Sequence, residues 1–334
     1  MPGPRRVTRR DFFLAPAVGH APTADFWLRV HRQIMACRFE VVLPGEDSSD
    51  TPLAREALDY ADRLEDVMTI FRETSELSRV NRAAYPGPVV VDPELFAVLA
   101  ICERVHRDTG GAFDVTSTPL SRCWGFLQRE GRMPAQSEID GARGAVGMQH
   151  VHLDRERCSV WFARPGVALN LGAIGKGYAL DRLGALLQAR GVRRALLSAG
   201  SSSILASGGS DDPWLVDLKS AATSEQLATL HLAQGAVGTS GAGEQFVEVD
   251  GVRYGHVIDP RSGWPAAGVL SASVITTDAA SADALSTAFL IGGADLAQQY
   301  CSTHPNVLAL ITPDDGCPRP VTFGSYPGVR MASA

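Results

Sequence analysis

The sequence contains almost no lysine. Of its 31 basic residues, only Lys176 and Lys219 are lysines and the rest are arginines. The bias reads as compositional, but it draws attention to Lys176, which lies in a glycine-rich run. A basic surplus is also missing. Acidic residues outnumber basic ones 37 to 31, the net charge is −6, and the basic residues are dispersed. That excludes a nucleic-acid surface built on charge. Cysteine is sparse: Cys37, Cys102, Cys123, Cys158, Cys301 and Cys317 form no CxxC pair and no Cys/His cluster with zinc spacing. In a chain of 334 residues, six scattered cysteines read as free thiols and not as a disulfide framework. No apolar run reaches the ~18 residues of a transmembrane helix, so no membrane span is expected. There is no internal repeat and no low-complexity segment.

The composition that is present is that of a globular protein, 45% apolar and 20% charged, long enough for a sizeable core. The stretch Thr8-Arg9-Arg10-Asp11-Phe12-Phe13-Leu14 resembles a twin-arginine export motif, with Pro16 interrupting the apolar part. Residues 1–25 are therefore expected to be a flexible tail or a vestigial export signal, and the compartment is cytoplasmic or exported. No cysteine closely follows this stretch, which argues against a lipoprotein anchor.

Local pattern sets the expected elements. Residues 38–43 alternate with Phe39, Val41 and Leu43 on one face, which predicts a strand. Thr51-Pro52 opens a helix, with Thr51 as N-cap and Leu53, Ala57, Ala61, Leu64, Met68 and Phe71 as its apolar stripe. A polar loop is expected over 72–81. Asp92-Pro93 starts a second helix, which Gly110-Gly111 ends. Residues 112–147 read as mostly irregular, anchored by Trp124 and Phe126. A hairpin is expected over 150–162 and a helix over 175–190, closed by Gly191. Short strands follow from 194 to 277, with Trp214, Val216 and Leu218 on one face and Asp250-Gly251 as a hairpin turn. A helix from about 280 to 301, interrupted at Gly292-Gly293, precedes a last strand over 306–312. Helices and strands mix without strict βαβ alternation, so the predicted class is α+β, with mixed sheets flanked by helices.

Several familiar signatures fail on spacing. A Walker loop through Gly175-Lys176 would need glycine at Asn170 and Ser or Thr at Gly177. The run is not GxGxxG either, Gly238-Thr239-Ser240-Gly241 is not a nucleophile elbow, and no HExxH occurs. Three patterns survive. Residues 170–178 put small residues at a predicted helix start, which suits a phosphate or pyrophosphate and equally suits a plain strand–helix turn. Asp283 and Thr287 stand at i and i+4 on one helix face, as oxygen ligands for a hard cation or as ordinary polar residues of an exposed helix. His256 precedes the turn Asp259-Pro260-Arg261-Ser262-Gly263. It is a candidate base, with Asp259 orienting it or approaching a metal, unless the segment simply makes a turn.

Together these segments resemble the ApbE family of flavin transferases, which move FMN from FAD onto a Thr or Ser of a target protein. The matching stretches are Ser75-Glu76-Leu77-Ser78-Arg79-Val80-Asn81, Gly110-Gly111-Ala112-Phe113-Asp114-Val115-Thr116, and Asn170-Leu171-Gly172-Ala173-Ile174-Gly175-Lys176-Gly177-Tyr178-Ala179-Leu180-Asp181. They continue with Gly238-Thr239-Ser240-Gly241, then His256-Val257-Ile258-Asp259-Pro260-Arg261-Ser262-Gly263, and Asp283-Ala284-Leu285-Ser286-Thr287. Their order and spacing make the set specific. The likeness implies one ApbE-like domain over 26–327 and a tail over 328–334.

The resemblance implies site roles residue by residue. Ala112, Phe113 and Asp114 match an FAD-contacting stretch. Met35 and Phe71 match flavin or adenine contacts, with Phe71 in place of a commoner tyrosine, so that stacking survives and a hydroxyl is lost. Asn81 matches a loop residue of the flavin site. Asn170 stands where aspartate is usual, Lys176 matches an FAD contact and Ile258 a flavin contact. Ala173, through its carbonyl, and Asp283 and Thr287 match the metal ligands, with Mg²⁺ the implied ion. His256 matches the histidine of the HxxDPxTG pattern. The implied partners are FAD and a target protein with a Thr or Ser acceptor; family members often act on membrane redox subunits. Two departures stand out: Gly200-Ser201-Ser202-Ser203 where GGD or GGN is common, and Asn170. Either weakens FAD binding or changes the accepted target. Three activities stay open at this point: FMN transfer, Mg²⁺-dependent FAD hydrolysis to FMN and AMP, and flavin binding without turnover.

Overall fold

A computed structural model describes residues 27–45, 50–210, 212–219, 226–243, 245–316 and 319–333. The twin-arginine-like stretch lies outside the described residues. In chain order the strands and helices are β1 (Trp27–Ile34), β2 (Cys37–Pro44), α1 (Thr51–Met68), α2 (Glu76–Ala83), β3 (Val89–Val90), α3 (Pro93–Asp108), α4 (Thr118–Cys123) and α5 (Gln136–Arg143). Next come β4 (Val151–Asp154), β5 (Ser159–Phe162), α6 (Gly175–Ala189), β6 (Ala195–Ala199), β7 (Ser203–Ser207), β8 (Trp214–Lys219), β9 (Gln226–Leu232) and β10 (Gly235–Gly241). The chain continues through β11 (Phe246–Val249), β12 (Val252–Gly255), β13 (Val269–Thr276), α7 (Ala279–Thr303), β14 (Leu308–Pro313), β15 (Val321–Gly324) and β16 (Val329–Ser333).

The central element is an eight-stranded sheet in the order β1-β2-β6-β7-β10-β13-β14-β15. Every neighbouring pair in it is antiparallel. Successive side chains of a strand point to opposite faces, and here both faces are apolar. Val41, Leu43, Leu197, Ala236, Val274, Ala309 and Ile311 face the helices in one core. Their neighbours Val42, Leu196, Val237, Ile275, Leu308 and Leu310 face a second core, shared with Trp214, Val216 and Leu218 of β8 and Leu230 and Leu232 of β9. A three-stranded sheet, β16-β9-β8, closes that second face. The result is helices, sheet and small sheet in three layers, an α+β arrangement as the patterning predicts. No helix among the described residues is long and apolar enough to cross a membrane.

Several local expectations change. Thr51 is the first helical residue and not the cap: Asp50 occupies that place without a side-chain bond, and Pro52 sits in the first turn. The expected loop over 72–81 contains α2, which begins where the Ser75 hydroxyl accepts from the Ser78 amide. The stretch over 112–147 is less irregular than expected and includes α4 and α5, although Trp124 and Phe126 do anchor it. Val329–Ser333 forms β16 against β9, so the segment expected as a C-terminal tail carries a strand of the third layer. The described cysteines form no disulfide.

Candidate active site

α6 and α7 meet with almost no separation at their N-terminal turns. A Cβ on Gly177 would lie 2.0 Å from the Ala279 carbonyl oxygen, so only glycine permits this approach. Gly238 of β10 does the same beneath α7, where a Cβ would lie 2.4 Å from the Ala282 carbonyl carbon. The start of α7 is further held by Asp181 of α6, whose carboxylate accepts from the Ala279 and Ala280 amides at 2.8 and 2.9 Å. Burial pushes Asp181 up to about 7, against those two amide bonds, with Asp278 and Asp283 adding to the rise.

This packing buries Asp283, which is 6% exposed and so does not belong to an exposed helix face. Its Oδ2 accepts from the Gly177 amide at 2.8 Å and its Oδ1 from the Ser203 hydroxyl at 2.7 Å. Burial raises Asp283 to about 6, against the Lys176 charge and these two donors. Thr287, one turn on, lies beside it. Its hydroxyl is 3.3 Å from the Asp283 carbonyl oxygen and 3.1 Å from the Ser240 hydroxyl, which also meets Ser286 at 2.8 Å. Lys176 donates to the Ser202 hydroxyl. The structure thus gathers Lys176, Asp283 and Thr287 with a set of serines that the sequence reading did not assign. Ser202 and Ser203 appeared there only as a departure from a pattern.

The segment leading into α6 is built on amide pairing. Asn81 of α2 donates from Nδ2 to the Leu169 carbonyl at 2.9 Å and accepts the Leu169 amide at 2.7 Å, holding that backbone as a strand partner would. The Asn170 amide donates to the Val115 carbonyl at 2.8 Å, and its side chain accepts from Gly172 at 2.9 Å, an Asx turn that shapes the approach to Ala173 and α6. Asn170 and the 112–116 stretch are therefore neighbours.

Within that stretch Ala112 and Phe113 are core residues, and Phe113 is 2% exposed. Its ring is packed away, so only its backbone can meet a nucleotide. Asp114 also turns inward. Its Oδ1 accepts from the Thr116 amide and hydroxyl at 2.8 and 2.6 Å, and its Oδ2 lies 3.2 Å from His106 Nδ1. Burial opposes the charged form of His106, but the Asp114 carboxylate and the Phe113 carbonyl outweigh it and raise the pKa. His106 had no signature in the sequence. Gly110 and Gly111, both at positive φ, turn the chain back so that Asp114 meets it. A cavity of about 290 Å³ opens here, lined by His106, Gly111, Asp114, Arg143, Gln149 and Arg261 among others. Phe71, by contrast, is 78% exposed just past α1, and Met35 is half-buried at positive φ between β1 and β2.

His256 follows the β11–β12 hairpin and is half-buried. Its Nδ1 lies 3.3 Å from the Gln245 carbonyl, and the Phe126 ring meets it edge-on at 6.5 Å. A neutral ring that donates from Nδ1 keeps its acceptor lone pair on Nε2. Gln245 follows Ser240 by five residues, and five residues of chain span at most ~18 Å. That limits how far the His256 backbone, bonded to Gln245 at 2.9 Å, lies from the Ser240–Thr287 group. Both oxygens of Asp259 accept from Arg261, at 2.9 Å each, which commits the carboxylate to its own turn. Trp124 Nε1 donates to the Gly263 carbonyl at 2.9 Å and pins that turn to a third core containing Ile258.

The residues implied as metal ligands would offer a hard cation oxygen donors only: the buried Asp283 carboxylate, the Thr287 hydroxyl beside it and the Ala173 main-chain carbonyl. Among the described residues no group of three or more His, Cys, Asp or Glu is arranged to hold a metal. A site here therefore depends on the hydroxyl and the carbonyl. A cation beside Asp283 would relieve the burial that raises its pKa.

The chain is similar to known proteins in sequence and in fold. The model of the ApbE family matches residues 35–311. An FAD:protein FMN transferase of Klebsiella pneumoniae is 32% identical over 72% of this chain and 75% of its own length. One from Escherichia coli is 27% identical over 89% and 86%. Among solved structures, the ApbE protein of Thermotoga maritima superposes with a TM-score of 0.80 at 29% identity, covering 90% of this chain and 97% of that one. The flavin transferase ApbE of Vibrio cholerae gives 0.75 at 26% identity, covering 92% and 97%. Taken with the fold and the residues gathered where α6 meets α7, these likenesses establish that the chain belongs to the ApbE family.

Proposed function

We propose that the protein transfers FMN from FAD to a Thr or Ser hydroxyl of a target protein and releases AMP, in a Mg²⁺-dependent reaction. The observation that carries this reading is Asp283. It is a buried carboxylate held by two neutral donors, with Thr287 and Lys176 beside it and the start of α6 in front of it. Helix N-termini and glycine-rich backbone suit a pyrophosphate. Lys176 adds a point charge for it. Asp283, Thr287 and the Ala173 carbonyl would hold Mg²⁺, which supplies charge neutralisation for the pyrophosphate oxygens.

In the transfer step the acceptor oxygen attacks the phosphorus on the FMN side. A new P–O ester bond forms, the P–O bond to AMP breaks, and AMP leaves with its phosphate. The hydroxyl proton passes to His256, whose Nε2 is the acceptor nitrogen when Nδ1 donates to Gln245. Such a reaction needs mainly positioning and electrostatics, and loops packed on the sheet and helix ends provide both. Asn81 and Asn170 hold the backbone of residues 169–172, and Asp259 and Trp124 hold the turn after His256.

The test is FAD turnover with and without metal. AMP release that requires Mg²⁺ and is abolished by a chelator is expected. AMP release at an equal rate in the chelator would overturn the metal-dependent reading.

A further inference from the structure

Of the serine pair at the start of β7, the scheme above uses only Ser203, as one of the two donors on Asp283. Ser203 lies in register with Ala199 of β6 on one side and Gly238 of β10 on the other. Its neighbour Ile204 points into the second core, so Ser203 points to the helix face. Ser203 is 0% exposed. The absent side chain at Gly238 lets α7 settle directly on the sheet, which puts Asp283 over the Ser203 hydroxyl at 2.7 Å. The two oxygens of Asp283 then have one neutral donor each, Ser203 on Oδ1 and the Gly177 amide on Oδ2. That fixes the carboxylate plane and leaves lone pairs on both oxygens.

Ser202 handles the opposite charge. Its hydroxyl takes the Lys176 ammonium, and among the described residues no ion pair joins Lys176 to Asp283. The turn that carries Ser202 is itself fixed. Gly200, at φ +62°, donates from its amide to the Arg38 carbonyl of β2 at 2.8 Å. Lysine has a long flexible stem and three donors. Without the Ser202 hydroxyl, the ammonium would be free to fall onto the buried carboxylate and neutralise it.

We propose that Ser202 and Ser203 are positioning residues that keep Lys176 and Asp283 apart and correctly aimed, Lys176 for phosphate and Asp283 for a divalent cation. The inference rests on the functional reading above. It adds that this site is set by hydroxyls and not by a direct ion pair.

The test is Mg²⁺ affinity, read by calorimetry and by the rise of the unfolding temperature with Mg²⁺. FAD affinity is read separately, without metal, by flavin fluorescence. Ser203→Ala should weaken Mg²⁺ binding by ~10–100-fold, the usual scale for loss of a ligand's supporting hydrogen bond. It should leave FAD affinity without metal near wild type. Ser203→Cys keeps the size and a weak donor, and should fall between the two; it also serves if the alanine variant does not fold. Ser202→Ala should weaken both Mg²⁺ and FAD. Adding Lys176→Met to Ser202→Ala should restore Mg²⁺ affinity but not FAD affinity, because the competing ammonium is gone. A purely structural role for Ser202 predicts no such recovery. Mg²⁺ affinities of Ser203→Ala and Ser203→Cys equal to a responsive wild type, or no recovery in the double variant, would overturn the proposal alone. A wild-type protein with no Mg²⁺ response would overturn the metal reading and this proposal together.

Discussion

The Gly177 amide and the Asp283 carboxylate meet at 2.8 Å because Gly177 has no side chain. One residue thus sets both the contact of two helices and the position of the charge between them. Gly177→Ala would put a methyl group 2.0 Å from the Ala279 carbonyl oxygen, and backbone would have to move. The expected cost is about 1–3 kcal/mol of stability, the range for overpacking a tight contact. Turnover should fall as well, since the same shift draws Asp283 off its donor. Denaturant unfolding and FAD turnover of the variant check both, and wild-type values in the two assays would refute the account of this contact.

Asp283→Ala removes the carboxylate from the gathered oxygens. The fold should persist, because the variant also removes a charge whose burial is unfavourable. Mg²⁺-dependent turnover should drop on the order of a thousandfold or more, several kcal/mol of lost transition-state stabilisation. Turnover within about tenfold of wild type would remove Asp283 from the site.

His106 gives a pH-dependent prediction. Burial disfavours its charged form, yet Asp114 and the Phe113 carbonyl raise its pKa in the folded protein. A raised histidine pKa contributes stability that is fully present below the unfolded value of ~6.5 and is lost as pH rises through the folded value. His106→Gln should therefore destabilise the protein more near pH ~5.5 than near pH ~8.5. Unfolding curves of the two proteins at both pH values measure the difference. An equal effect at both would mean that the His106–Asp114 pair at 3.2 Å contributes nothing through charge.

His256→Ala should lower the single-turnover transfer rate at saturating FAD and acceptor by ~10²–10⁴-fold, the scale for a lost general base. FAD affinity should change much less, because Lys176 and the start of α6 belong to other segments. An unchanged saturated rate with weakened FAD binding would make His256 a binding residue.

Much of this was legible in the sequence. Alternation along 38–43 and 214–218 marked strands with buried faces, and the caps at Asp92 and Gly191 marked helix ends. The motif residues Lys176, Asp283 and Thr287 are found together. Sequence could not reveal how a polar element is paired. Residues 76–83 carry too little apolar pattern to announce α2, and β16 exists through its pairing with β9, about a hundred residues away. Residue type also misled. Phe113 matches an FAD contact by resemblance, yet its side chain is a core residue. Asp259 reads as a partner for His256 or a metal, yet its oxygens are taken by Arg261. Ser202 and Ser203 looked like a departure, and turn out to hold Lys176 and Asp283.

The central claim, transfer of FMN to protein, is tested most directly by mass spectrometry. The protein is incubated with FAD, Mg²⁺ and a candidate target protein with a Thr or Ser acceptor, and both the acceptor and the small molecules are weighed. The account predicts an acceptor heavier by one FMN phosphoester, with AMP released in equal amount and only in the presence of Mg²⁺. FMN and AMP with an unmodified acceptor would make the protein a pyrophosphatase, and bound FAD with no product would make it a flavin binder; either result would contradict the account.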